Sequence, residues 1–144
     1  MDEKLDEIID DNLDDLVDSN FKKIKKVLVV DDITYVIRFI SKILKDAGYQ
    51  VISATSGHEA LIKYVKYHPD IVTVDQMLPD MTGETLFAKI KELDRENTTK
   101  LIFISANYDK EKIKAILNLG VTNYLMKPFT KEKLLEVLKQ LDEE

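Results

Sequence analysis

From Lys26 onward the chain alternates between two kinds of hydrophobic pattern. One kind is short and rich in β-branched residues: Val27-Leu28-Val29-Val30, Val51-Ile52-Ser53-Ala54, Ile71-Val72-Thr73-Val74, Leu101-Ile102-Phe103-Ile104 and Tyr124-Leu125-Met126. The first, third and fourth runs are apolar throughout or nearly so, which is how strands buried on both faces read. The other kind repeats apolar residues every third or fourth position. Val36, Ile37, Ile40, Ile43 and Leu44 show it, as do Leu86, Phe87 and Ile90, then Ile113, Ile116 and Leu117, then Leu134, Leu135, Leu138 and Leu141. Ser56-Gly57-His58-Glu59 reads as a capping box opening the second helix. Gly48 and Gly120 fall where a helix ends in a left-handed residue, and Thr130 can cap the last helix. Five strands alternating with five helices predict an α/β fold, with a parallel sheet covered on both faces. Right-handed crossovers make a doubly wound sheet the leading topology.

A different pattern precedes this body. Leu5, Ile8, Ile9, Leu13, Leu16, Val17, Phe21 and Ile24 recur at helical spacing, with Asp and Glu on the other face. The spacing predicts one amphipathic helix of about twenty residues, marginal on its own. Its apolar stripe needs a partner, either the body's own surface or a second copy in a homodimer. The alternative is a frayed, solvated acidic tail. The chain therefore divides into an extension over 1–25 and a domain over 26–144.

Charge sharpens that division. The net charge is −6, but residues 1–20 hold nine acids and one lysine, whereas residues 21–144 hold eighteen acids and twenty bases. A body so balanced gives no electrostatic reason to expect nucleic acid as a partner. The acidic extension would be repelled by anionic lipid, so no membrane partner is expected either. No apolar run is long enough to span a bilayer, and Met1-Asp2-Glu3-Lys4 lacks the basic start of a signal peptide. There are no cysteines, which excludes disulfides and thiolate chemistry, and His58 and His68 are too few for a histidine-built metal centre. Both histidines read as surface residues. The expected compartment is the cytoplasm.

In open α/β sheets the binding crevice lies beyond the carboxyl ends of the strands. Here strand one ends in Asp31-Asp32, strand three in Asp75, strand four in Ser105 and strand five in Lys127-Pro128. Carboxylates held together repel, and protonation or a bound cation relieves them. An all-oxygen set suits Mg²⁺, which also binds substrate phosphate. A lysine opposite the metal would complete a clamp for a phosphoryl group. The residue chemistry points to phosphoryl transfer onto a carboxylate.

With these residues in view, the stretch from about Lys26 to Leu141 resembles the receiver domains of two-component response regulators, and its spacing is similar to the chemotaxis-type stand-alone receivers. Asp32 to Asp75 is 43 residues, Asp75 to Ser105 is 30, and Ser105 to Lys127 is 22. The text around Val27–Asp32, Ala54–Leu61, Asp75–Gly83 and Gly120–Phe129 carries the same likeness.

The resemblance implies a flavodoxin-like sheet of order 2-1-3-4-5. It also implies a role for each matching residue. Asp75 would take a phosphoryl group from a phosphohistidine on a sensor histidine kinase or phosphotransfer protein. Asp32 and Asp75 would bind Mg²⁺ directly, Asp31 mainly through water, and Met77 through its backbone carbonyl. Lys127 would pair with the phosphoryl oxygens, and its bond to Pro128 would be cis. Ser105, where threonine is commoner, would hydrogen-bond the phosphoryl group, with the small Ala106 beside it. Tyr124 would be the aromatic switch. Val121 stands where alanine is frequent, a packing detail. Met77 and Asn107 would flank the path of an attacking water, and the bulk of Met77 would slow hydrolysis.

Output is expected through protein contact on the face made by the fourth helix, fifth strand and fifth helix. The chain's own chemistry would be limited to its phosphorylation and slow dephosphorylation, so it is not read as an enzyme. Two other readings stand beside this one: a receiver fragment of a longer regulator, and a Mg²⁺-dependent phosphohydrolase with an aspartate nucleophile. The latter needs a general acid where this chain has Met77.

Overall fold

The computed structural model describes residues 24–106, 109–121 and 123–142; the expected N-terminal helix and Asn107 lie outside the described residues. The short apolar runs become β1 (Lys26–Val30), β2 (Gln50–Ala54), β3 (Ile71–Asp75), β4 (Lys100–Ser105) and β5 (Asn123–Met126). They form one parallel sheet of order β2-β1-β3-β4-β5. Between them run α1 (Thr34–Asp46), α2 (Gly57–Tyr67), α3 (Gly83–Leu93), α4 (Lys110–Asn118) and α5 (Lys131–Asp142). The three inner strands are buried almost end to end, and the two edge strands only in part.

Alternation along each strand builds two cores. Val27 and Val29, Ile102 and Ile104, and Leu125 face α1 and α5, where they meet Ile37, Ile40, Leu44, Leu134 and Leu138. Leu28 and Val30, Val72 and Val74, and Leu101 and Phe103 face the other way, against Ala60, Leu86, Phe87, Ile90 and Ile116. Each large side chain fully buried in these layers contributes about 1.5–3 kcal/mol. Among the described residues, no helix is long and apolar enough to cross a membrane.

The expected helix punctuation is present, with one variation. Ser56 Oγ accepts from the Glu59 amide at 3.1 Å, but the Glu59 carboxylate reaches back to the Thr55 amide at 2.9 Å, one residue before the cap. Thr130 Oγ1 accepts from the Lys133 amide, and Gly48 and Gly120 take φ of 95° and 91°. The sequence pattern over α4 is only partly realised. Nine residues long, α4 sends Ile116 fully into the core, while Leu117 remains 51% exposed.

Candidate functional site

The carboxyl ends of β1, β3, β4 and β5 meet at one edge of the sheet, because parallel strands in register end together. Asp31 follows β1 and is buried; its Oδ1 accepts from the Ile33 amide at 2.9 Å, just before α1 begins. Asp32 is exposed. Asp75 is the last residue of β3, buried, with Oδ2 accepting weakly from the Met77 amide at 3.3 Å. Carboxylate oxygens of Asp31, Asp32 and Asp75 lie within 4.8 Å of one another.

Lys127 supplies the opposite charge. Its Nζ stands 2.7 Å from Asp75 Oδ1 and 3.0 Å from Asp31 Oδ2. The backbone aims it, since the Lys127 amide donates to the Ser105 carbonyl and extends the β4–β5 ladder by one bond. The Lys127-Pro128 peptide bond is cis. Burial pushes the Asp75 carboxyl above its usual range, with the Lys127 bond opposing and the Asp31 charge adding to the rise. For Lys127, burial works downward, but the bonds to Asp75 and Asp31 outweigh it and hold the ammonium form.

Ser105 ends β4, buried beside the cluster, and its hydroxyl donates to the side-chain oxygen of Gln76. The Gln76 amide nitrogen is buried without a hydrogen-bond partner. Tyr124 is not in the cluster. It lies half-buried on β5, its ring nearly parallel to that of Phe103 with centroids 6.2 Å apart. His58 and His68 are both exposed, and neither joins the carboxylate cluster.

The loop after Asp75 is fastened at several points. Gly83 N–H donates to the Gln76 carbonyl at 2.7 Å and Leu78 N–H to the Met81 carbonyl at 3.2 Å. This short bridge places Met77 opposite Thr82 and leaves the Met77 carbonyl out of its ladder, while the Met77 side chain is 67% exposed. Asp80 crosses to α2, accepting from the Gly57 and His58 amides at 2.9 and 2.8 Å. Those two bonds pull the Asp80 carboxyl below its ordinary range, His58 contributing most. Sequence reasoning missed Gln76 and Asp80 as participants. Asp80 sat within a recognisable stretch, but nothing in a linear pattern says which distant amides it meets.

The donor set fits a small hard cation. It offers three carboxylates, joined by no histidine or cysteine among the described residues, and an ammonium to face any phosphoryl oxygens.

Comparison with known proteins gives the same picture from outside. The model of the response regulator receiver domain matches residues 27–139. The chemotaxis protein CheY of Treponema pallidum is 40% identical over 114 residues, which cover 77% of this chain and 78% of that protein. A CheY-like receiver domain protein from Methanospirillum hungatei superposes with a TM-score of 0.77 at 34% identity, covering 84% of this chain and 96% of that one. A CheX–CheY complex with BeF3 and Mg²⁺ from Borrelia burgdorferi gives a TM-score of 0.76 at 32% identity, covering 82% and 89%.

Proposed function

This chain belongs to the response regulator receiver family, a CheY-like receiver of two-component signalling, and on that premise we propose that Asp75 accepts a phosphoryl group from a phosphohistidine on a partner protein. The observation that carries the reading is the placement of Lys127, whose ammonium bridges Asp31 and Asp75 inside a cluster of three carboxylates. In this reading the Asp75 carboxylate attacks phosphorus, the bond to the histidine nitrogen breaks, and the imidazole leaves. Asp32 and Asp75, the Met77 carbonyl, and Asp31 at one remove would hold Mg²⁺. Bound there, the metal would neutralise phosphoryl charge during transfer. Lys127 turns its ammonium from the two carboxylates toward the new phosphoryl oxygens.

The switch follows from the added charge. An acyl phosphate brings about two negative charges and three strong acceptors to one spot. The Ser105 hydroxyl gains a better acceptor than Gln76, so the β4 end is drawn toward Asp75. Tyr124, already stacked on Phe103, then turns further inward, and the population shifts toward that arrangement. Output passes through protein contact on the α4–β5–α5 face, where Leu117 and Leu119 offer exposed apolar area. The Borrelia complex, in which a related chain meets a protein partner with Mg²⁺ and a phosphoryl mimic present, supports both metal and contact. We take residues 26–144 as the receiver unit, 1–25 as its appendage, and the cytoplasm as the compartment. Its chemistry is confined to its own phosphorylation and dephosphorylation, because the acid a rapid phosphohydrolase needs is replaced by Met77.

Intact mass after incubation with Mg²⁺ and acetyl phosphate tests the reading. The parent gains one phosphoryl group, while Asp75→Asn and the EDTA-treated parent gain none. Equal uptake by Asp75→Asn would assign the acceptor elsewhere.

A further inference from the structure

Starting beside Lys127 of the phosphoryl site, one apolar strip runs along the outer side of α1 and the start of α5. Tyr35 is 76% exposed and Phe39 40% exposed. The Phe39 ring meets that of Phe129, centroids 5.8 Å apart, where the chain enters α5. The cleft beside these rings is rimmed by Arg38, Lys42 and Lys131. Its one acidic lining residue, Asp46 at the end of α1, is already paired with Lys42 at 3.2 Å. Phe129 is partly buried against the core, so the exposed apolar area lies on Tyr35 and Phe39, and an exposed apolar patch of this kind marks a surface that meets a partner.

The path of the chain leads to this strip. Lys25 is held at 2.7 Å by Asp142, the last residue of α5, and Tyr49, just past α1, feels the charges of both. Lys25 therefore sits between the carboxyl end of α5 and the start of β2, at the foot of the strip. Ile24 itself is 65% exposed. That residue is also the last member of the apolar repeat Leu5, Ile8, Ile9, Leu13, Leu16, Val17, Phe21, Ile24.

We propose that residues 1–23 dock as an acidic amphipathic helix along the α1–α5 face, running from Ile24 up toward Tyr35 and Phe129. Its apolar stripe covers Tyr35, Phe39 and Phe129, and its acids face Arg38, Lys42 and Lys131. The helix is long enough: α1 has 13 residues, about 20 Å, whereas a helix of about twenty residues spans about 30 Å, so its first few residues extend past Tyr35 and Phe129. The charges agree as well, since residues 1–20 carry nine acids against one lysine. Tethering at the foot of the strip holds the segment at an effective concentration on the order of millimolar, which favours self-docking over a second copy.

The sequence contains no cysteine, so a nitroxide can be placed at one chosen position of the full chain. Asp11→Cys puts it on the polar side of the repeat, opposite the apolar stripe. In ¹⁵N-labelled protein the spin label is expected to erase amide signals of Arg38 to Lys42 and Lys131 to Leu135, and to spare α2 and α3. Adding Arg38→Glu and Lys42→Glu, both on the exposed side of α1, is expected to restore those signals while core resonances stay in place. Uniform or absent broadening would overturn the proposal. So would broadening that appears only between labelled and unlabelled molecules in a mixed sample, since the occupant would then be a second copy. Neither readout involves phosphate, so failure here and failure of Asp75 phosphorylation are separate results.

Discussion

Gly83 and Gly57 differ in what a methyl group would meet. A Cβ on Gly83 would press into the Asp75 carbonyl and lie 3.0 Å from Gln76 Cα, both backbone, whereas on Gly57 it would meet only the Met81 side chain. Backbone cannot step aside without moving the end of β3, while a methionine can change rotamer. Gly83→Ala is expected to cost about 1–3 kcal/mol, as overpacking does. Gly57→Ala should cost less, because what it displaces is a flexible side chain; alanine's helix preference applies to both, since each glycine opens a helix. Urea midpoints of the two variants check this, and equal losses would contradict it. Gln76 makes a second case at this scale. Its side-chain oxygen holds the Ser105 hydroxyl while its buried nitrogen goes unpartnered. Removing one partner of a buried hydrogen bond costs about 1–3 kcal/mol, and an apolar side chain here also removes a buried amide nitrogen that has no partner, which offsets part of that cost. Gln76→Leu should therefore lose no more than about 1–2 kcal/mol of stability and bind beryllofluoride with Mg²⁺ a few-fold more tightly, since Ser105 no longer has the bond to Gln76 to give up. Unchanged affinity would mean that Gln76 does not restrain Ser105.

At the scale of elements, strands and helices were legible because each carried its own period, and the capping residues were local. The strand-end acids were legible too, since a parallel sheet brings carboxyl ends together whatever the loops do. Contacts between loops were not legible. Asp80 reaches the amides of Gly57 and His58, 23 and 22 residues away, and only the assembled sheet sets α2 beside the loop after β3. Nor did the period over α4 show that Leu117 would stay outside. The Asp80 contact has a pH signature. Folding lowers the pKa of this carboxyl, so its stabilising effect is complete above the unfolded value of about 3.9 and is lost as pH falls through the lower folded value. Asp80→Asn keeps the shape but removes the charge and one of the two acceptor oxygens. Chemical denaturation should show the parent ahead of the variant at neutral pH, with the gap closing in acid. A gap that persists at low pH would mean that shape rather than charge makes the contact.

For the whole molecule, the site is a place where stability is given up. Two aspartates at a buried sheet edge repel each other, and Lys127 is shared between them. Because folding raises the Asp75 value, the ionised carboxylate disfavours the folded state at neutral pH, an effect that fades as pH falls into the carboxylate range. Asp75→Asn removes one of the like charges and should stabilise the metal-free protein by about 0.5–2 kcal/mol, the usual yield of relieving a strained functional position. Mg²⁺ should act in the opposite order. A ligand that binds only the folded chain adds about 2.7 kcal/mol at a hundred times its dissociation constant. The parent's melting temperature is expected to climb with Mg²⁺, and the variant, having lost a carboxylate oxygen from the set, should climb much less. The two curves therefore converge as the metal is titrated in. Parallel curves would place the cation away from Asp75, and a variant less stable than the parent without metal would show that the Lys127–Asp75 bond outweighs the repulsion.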